Sequence, residues 1–277
     1  MLASAFIHFK KNCSFVLESY DVFIVDLWGV IHDGHTLLRG VLSFLMMLKD
    51  HHKQIIFLSN SPKRAYDLED HLTHLGITRD MYAFVYSSGE KAYEALQSYQ
   101  PAVIYPIMAP SHQGLVYDLD LTVTEDITKA TLILATDFKN VPSDDWLFLE
   151  RKIPMICINP DKHVWVGGKL KPCAGSLAAL YEEEGGTVIY YGKPYACVYE
   201  SVLERLNIKN KKKILCVGDS LDTDILGAKN MDLDSLLVLS GLETNGNFGD
   251  DMLLSPKLLK RMKDKDIYPT FVAPGFY

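Results

Sequence analysis

The strongest constraint on the fold is Val22-Phe23-Ile24-Val25, a run that is apolar at every position and then stops on the carboxylate of Asp26. A strand with one wet face alternates apolar and polar residues. A strand that is apolar throughout must be covered on both faces, as in a parallel sheet flanked by helices. The pattern returns at Ile55-Ile56-Phe57-Leu58, ending on Ser59 and Asn60, and at Val188-Ile189-Tyr190-Tyr191, leading into Gly192-Lys193-Pro194. It appears again at Ile214-Leu215-Cys216-Val217, followed by Gly218 and Asp219. Open α/β sheets bind ligands beyond the carboxyl ends of their strands, so these runs aim chemically useful side chains at one edge.

Helical patterns separate the strands. Val41, Leu42, Leu45 and Leu48 recur at helical spacing within residues 38–51. Pro62 suits the start of a second helix, which is expected to run to Leu75 and stop at Gly76, a natural left-handed cap. Phe84-Val85-Tyr86-Ser87-Ser88 is a further core strand, leading to Glu90 and another helix. Strand and helix alternating in this way predict a parallel sheet with right-handed crossovers. From about residue 100 to 186 the pattern restarts. Val103-Ile104-Tyr105, Leu132-Ile133-Leu134-Ala135 and Met155-Ile156-Cys157-Ile158 are strand candidates, residues 176–184 are helical, and Gly167-Gly168 marks a hairpin turn. The predicted fold is therefore α/β: a Rossmann-like, doubly wound parallel sheet from residues 1–88 and 188–277, with a smaller α/β domain inserted at 89–187. The aromatic, proline-rich segment 269–277 has no assignable place.

Composition excludes several functional classes. A net charge of −7 offers no basic face to a nucleic acid, and the one basic cluster, 209–213, reads as a solvated loop. Cys13, Cys157, Cys173, Cys197 and Cys216 show no paired spacing, which predicts reduced thiols rather than a disulfide framework or zinc site. The N-terminus lacks a signal-peptide pattern and no apolar run has the length of a membrane span. A cytoplasmic protein acting on a small molecule is expected, with no membrane or nucleic-acid partner and a second copy of itself as the candidate macromolecular partner.

Four strand-ending motifs in this order resemble the signature of the haloacid dehalogenase superfamily. Its first motif is Asp-x-Asp-Gly-Val or close to it, matched here by Asp26-Leu27-Trp28-Gly29-Val30 with tryptophan at the second acidic position. Ser59-Asn60-Ser61 is similar to the second motif, Gly192-Lys193-Pro194 to the third, and Gly218-Asp219 with Asp224 to the Gly-Asp-x-x-x-x-Asp fourth. The long gap between the second and third motifs, holding Asn159-Pro160-Asp161, resembles class IIA. That branch carries a large α/β cap there and includes sugar-phosphate, nucleotide, phosphoglycolate and pyridoxal-phosphate phosphatases.

The resemblance implies hydrolysis of a small phosphomonoester with Mg²⁺ through an aspartyl-phosphate. Asp26 would be the nucleophile, splitting hydrolysis into two easier steps. Asp26, Asp219, Asp224 and the main-chain carbonyl of Trp28 would surround the metal, since hard Mg²⁺ takes oxygen ligands. Lys193, Ser59 and Asn60 would cradle the phosphate, while Asn159 and Asp161 are candidate cap residues facing it. Asp222 is expected to complement a helix dipole. Trp28 is the departure. The family uses an Asp there to protonate the leaving group and activate water, help worth typically ~10²–10⁴-fold. Indole cannot shuttle a proton. Three outcomes stay open: a slow phosphatase, one whose proton comes from Asp33 or a nearby histidine such as His32 or His35, or a non-enzymatic phosphometabolite-binding protein on the same scaffold. The indole itself is either a stacking platform for an aromatic substrate or flap packing.

Overall fold

The computed structural model describes residues 8–9, 14–138, 150–166, 169–208, 210–240 and 254–276. The strands, in chain order, are β1 (His8–Phe9), β2 (Val22–Val25), β3 (Gln54–Ser59), β4 (Phe84–Ser87), β5 (Ala102–Ile107), β6 (Leu121–Val123) and β7 (Leu132–Ala135). They continue with β8 (Met155–Ile158), β9 (His163–Val166), β10 (Lys169–Pro172), β11 (Val188–Tyr191), β12 (Ile214–Gly218), β13 (Asp234–Val238) and β14 (Phe271–Ala273).

Seven of them form one parallel sheet in the order β1-β14-β13-β12-β2-β3-β4. The strand period of two sorts the apolar runs between its faces. Phe23, Val25, Phe57 and Val217 meet Val41, Leu45 and Leu48 of the helix Val41–Asp50, and Leu68 and Leu72 of the helix Ala65–His74. Val22, Ile24, Ile56 and Cys216 meet Val198 and Val202 of the helix Ala196–Leu206 on the other side. The all-apolar runs are therefore covered on both faces, as their composition demanded. Phe57 is wholly enclosed, and truncating such a ring to alanine costs about 3–5 kcal/mol.

A second parallel sheet runs β11-β8-β7-β5-β6. Leu177 and Tyr181 of the helix Ala174–Glu183 cover one face, and Ala92 and Leu96 of the helix Ser88–Leu96 cover the other. Ser87 caps the latter, its Oγ accepting from the Glu90 N–H at 2.9 Å. β9 and β10 form an antiparallel hairpin with Val166 opposite Lys169; Gly167-Gly168 between them lie outside the described residues.

Two expectations need correction, and one unassigned segment finds its place. β11, expected to begin the return to the first sheet at residue 188, pairs instead with β8 in the second, Ile189 opposite Ile156. An apolar run carries no label for the sheet that accepts it, and the chain re-enters the first sheet only at Ile214. The helix after Pro62 starts later, at Ala65, although Gly76 does follow it at φ +92°. The unassigned tail supplies β14, which pairs with both β13 and β1, and the Phe276 ring stacks on Phe44 at 4.3 Å. Cys157, Cys173, Cys197 and Cys216 are free thiols; Cys13 lies outside the described residues. Among the described residues no helix is long and apolar enough to cross a membrane.

Candidate active site

β12, β2 and β3 are neighbours in the first sheet, so their carboxyl ends bring Asp219, Asp26 and Ser59 side by side. Asp224 joins them from a wide π-helical turn, Leu221–Ile225, its Oδ2 accepting from the Ser220 N–H at 3.2 Å. Gly218 permits that return, because a Cβ there would lie 2.1 Å from the Asp224 side chain. Asp26, Asp219 and Asp224 each place one carboxylate oxygen within 4.8 Å of the others. Lys193 closes the cluster. Its Nζ donates to Asp26 Oδ1 at 2.6 Å, Asp224 Oδ1 at 2.7 Å and the Leu58 carbonyl at 2.9 Å.

Burial disfavours the charge on Lys193, but Asp224 and Asp26 outweigh it and hold its ammonium well above the ordinary lysine range. Burial and, less strongly, Asp224 push the Asp26 carboxyl up and Lys193 pulls it down, leaving it raised to about 7. Three buried carboxylates facing one ammonium leave surplus negative charge. An all-oxygen donor set of this kind fits a hard divalent cation such as Mg²⁺, which would restore Asp26 to its ionised form.

Asn60 has a different role from the phosphate contact expected of it. Its Nδ2 donates to Asp161 Oδ1 and to the Lys193 carbonyl, both at 3.0 Å. Its Oδ1 accepts from the Lys193 N–H at 2.7 Å and from Ser88 Oγ at 3.3 Å. An amide has two donors and two acceptor sites, and all four are used. The side chain is a clasp that fixes Lys193 and ties the first sheet to the loop carrying Asp161. Gly192 lets the two approach, since a Cβ there would meet Ser88, Pro160 and Asn60 within 2.8 Å. Asn159, at φ +127°, accepts the Asp161 N–H on its Oδ1 at 3.2 Å. Burial raises the Asp161 carboxyl to about 6 against the pull of Lys193.

Trp28 lies in the flap after Asp26, and its Nε1 donates to the Trp165 carbonyl of β9 at 3.1 Å. The indole is packed against Gly34, where a Cβ would sit 2.4 Å from the ring, and the His32 ring meets it edge-on at 5.6 Å. His32 Nδ1 accepts from the Gly34 N–H at 3.0 Å, which places its proton on Nε2. Burial and the nearby His71 lower it to about 4. His32 is thus a neutral imidazole whose acceptor is occupied. Asp33 is exposed and turned into its own loop: its Oδ1 accepts from the backbone N–H groups of Thr36 and His35, which hold it below the usual carboxylate range. Neither replaces the missing acid, and His35 is exposed without lining the cleft. Asp222 bonds Arg261 at 2.7 Å and Lys265 at 3.0 Å, an ion-pair role beyond the expected dipole charge.

Asp26, Trp28, Ser59, Asn60, Lys193 and Asp219 line one cavity of about 290 Å³, and Asn159 and Asp161 close it from the second sheet. Asp224 stands beneath, reaching the site through Lys193 and Asp26. Leu68, His71, His163 and Val164 also line the cavity without having been singled out in the sequence. Leu68 and His71 lie on an ordinary amphipathic helix and the other two on a short hairpin, so no local pattern marks them.

Two family models match the chain: haloacid dehalogenase-like hydrolase over residues 23–121, and HAD-hydrolase-like over residues 190–274. The 4-nitrophenylphosphatase of Schizosaccharomyces pombe is 27% identical over 260 residues, covering 82% of this chain and 86% of that one. The ribonucleotide monophosphatase NagD of Escherichia coli is 25% identical over 230 residues, covering 80% and 88%. A haloacid dehalogenase-like hydrolase from Brucella suis superimposes with a TM-score of 0.82 at 24% identity, over 97% of this chain and all of that one. With family models matching residues 23–121 and 190–274, and the four motif residues Asp26, Ser59, Lys193 and Asp219 meeting in one cleft, the chain belongs to the haloacid dehalogenase superfamily, in its class IIA branch.

Proposed function

We propose that this chain is a Mg²⁺-dependent hydrolase of a small phosphomonoester, working through an aspartyl-phosphate on Asp26. The observation that carries this is the convergence of Asp26, Asp219 and Asp224 around the buried Lys193 ammonium. A protein that only held a phosphate would gain nothing from a carboxylate aimed at it, because like charges repel. The phosphatase names of the two relatives agree with this reading.

In the first step an Asp26 carboxylate oxygen attacks phosphorus, and the ester P–O bond breaks with its electron pair leaving on the alcohol oxygen. In the second, water attacks the same phosphorus, the Asp26 O–P bond breaks with its electron pair returning to the carboxylate, and phosphate leaves; the proton lost by water passes to solvent, from which the departed alcohol oxygen takes one up. Lys193 offsets the charge of nucleophile and phosphoryl group throughout, and the Ser59 hydroxyl is placed to donate to a phosphoryl oxygen. Asp26, Asp219, Asp224 and the Trp28 carbonyl would hold Mg²⁺, which when bound supplies charge neutralisation at the non-bridging oxygens. The residues from Asn159 to Asp161 bound the leaving-group side.

The Trp28 N–H is engaged by Trp165, so no proton reaches the leaving group from this position. Leaving groups that depart as stable anions, phenols above all, are therefore favoured over alkyl alcohols. The test is phosphate release from matched aryl and alkyl esters, with Asp26→Asn as control. Turnover that persists in Asp26→Asn would overturn the proposal. A second reading, a phosphometabolite-binding protein, is favoured by Trp28 alone; tight binding of esters with no turnover in Mg²⁺ would select it.

A further inference from the structure

Beyond a ridge formed by Asp161, His163, Ser220 and Thr223, which line both spaces, the catalytic cavity is continued by a second one of about 510 Å³. Its far wall is the helix Pro256–Lys265, anchored by the buried Leu258 and Met262. Residues four apart share a helix face. Lys257, Arg261 and Lys265 therefore form one row, and all three line this cavity. Lys162 adds a fourth cation from the opposite wall, against two carboxylates, Asp161 and Asp222.

Asp222 pairs with both Arg261 and Lys265. Lys257 and Lys162 have no ion-pair partner among the described residues. Among the described residues that line this concavity, four Lys and Arg side chains face two carboxylates, in a chain whose net charge is −7, and such a cationic lining suits an anion. Trp165 and Tyr195 supply flat apolar surface in the same cavity, on which the body of a ligand can rest.

We infer that this cavity binds a second oxyanion, a carboxylate or phosphate carried on the leaving group, so that the substrate is anionic at both ends and spans from Asp26 to the Lys257–Arg261 row. The inference rests on the proposed reading of Asp26 as the phosphoryl end. Asp222 makes the connection economical, since it lies between Asp219 and Asp224 in one loop and holds the cationic row against that loop.

The test uses matched esters in Mg²⁺: phenyl phosphates bearing a para carboxymethyl or carboxyethyl tail, and para-alkyl esters of the same length as neutral controls. A charge-assisted hydrogen bond at a partly open site predicts a KM about tenfold lower for the tailed ester, with kcat little changed. Lys257→Glu and Arg261→Gln should each shrink that ratio towards one, and added salt should do so in the wild type. The corresponding phosphonates, which cannot be hydrolysed, provide the same ratio as a Kd by calorimetry. If the hydrolytic reading fails, turnover is absent but the Kd ratio survives. If the inference fails, the ratio disappears while turnover persists. A ratio of one in the wild type, a ratio that Lys257→Glu leaves intact, or equal losses on tailed and neutral esters would overturn it. Free carboxylates that alter turnover of the neutral ester without competing with the tailed one would overturn it too, by assigning the cavity to a separate anion.

Discussion

The floor and the roof of the cleft are built on different principles. The floor consists of Asp26, Lys193, Asp219 and Asp224, all almost wholly buried. Three of its residues come from the ends of adjacent parallel strands or the turn beyond one, and Lys193 bonds two of them directly. Strand register positions them to within a hydrogen bond. The roof consists of the flap around Trp28 and the loop and hairpin from Asn159 to Val166, most of it half-exposed. The Trp28 N–H joins the flap to the hairpin through the Trp165 carbonyl, and Asn60 ties the loop to the first sheet through Asp161. Dense buried charge is costly and is retained where each group has a fixed partner. Sparse contacts on loops leave room to change the leaving group without disturbing the phosphate end. On the proposed reading, the difference assigns the chemistry to the sheet and the selectivity to the loops.

Five experiments would break or sharpen this contrast. Removing the nucleophile is expected to have the largest effect: Asp26→Asn should lower turnover by at least about 10³-fold, measured as phosphate release on an activated aryl ester. Residual activity near wild type would mean that the floor is not where the bond breaks. Next, chelation should abolish turnover and added Mg²⁺ restore it. Asp219→Asn should raise the Mg²⁺ concentration needed for half activity by roughly tenfold or more, while its melting temperature stays close to wild type.

A change at the junction of floor and roof comes third. Trp28→Asp should improve turnover of alkyl phosphates by about 10²-fold, with less gain on p-nitrophenyl phosphate, whose leaving group needs no proton. If the folded variant gains nothing on alkyl esters, the leaving-group proton has another source and His71, in the cavity wall, becomes the first suspect.

The clasp is fourth. Asn60→Ala strands polar groups of Lys193, Asp161 and Ser88, and urea denaturation should show a loss of about 1–3 kcal/mol. Unchanged stability would show that the two sheets are held together by other contacts. The smallest effect concerns pH. The folded pKa of His32, about 4, lies below its ordinary value of 6.5, so the unfolded chain binds the proton first. Its contribution is complete above pH 6.5 and is lost as pH falls towards 4, at about 1 kcal/mol per pH unit. His32→Gln should flatten that part of a stability-versus-pH curve; an unchanged slope would assign it to other groups.

Much of the floor was legible in the sequence. A run that is apolar at every position can satisfy itself only between two layers of helices, and the polar residue that ends such a run must lie at the sheet edge. That reasoning located Asp26, Ser59 and Asp219 from local patterns alone. β14 escaped notice because Phe271–Ala273 is short and sits in a tail whose prolines disguise it, and β13 because Asp234–Val238 opens on an acid and a hydroxyl that leave only three apolar residues.

What only the tertiary structure decided is the set of partners. The pattern of β11 is as apolar as that of β12, yet hydrogen bonding to β8 put it in the other sheet. Asn60 became a clasp because Lys193 and Asp161, more than a hundred residues away, took three of its four donor and acceptor positions and Ser88 took the fourth. The Trp28 N–H found a carbonyl 137 residues distant, and a helix that reads as merely basic turned three cations into a cavity beside the catalytic one. Burial is encoded by neighbours along the chain, which a sequence displays. Which polar groups meet depends on how separately formed layers pack, and that is settled only when the chain closes on itself.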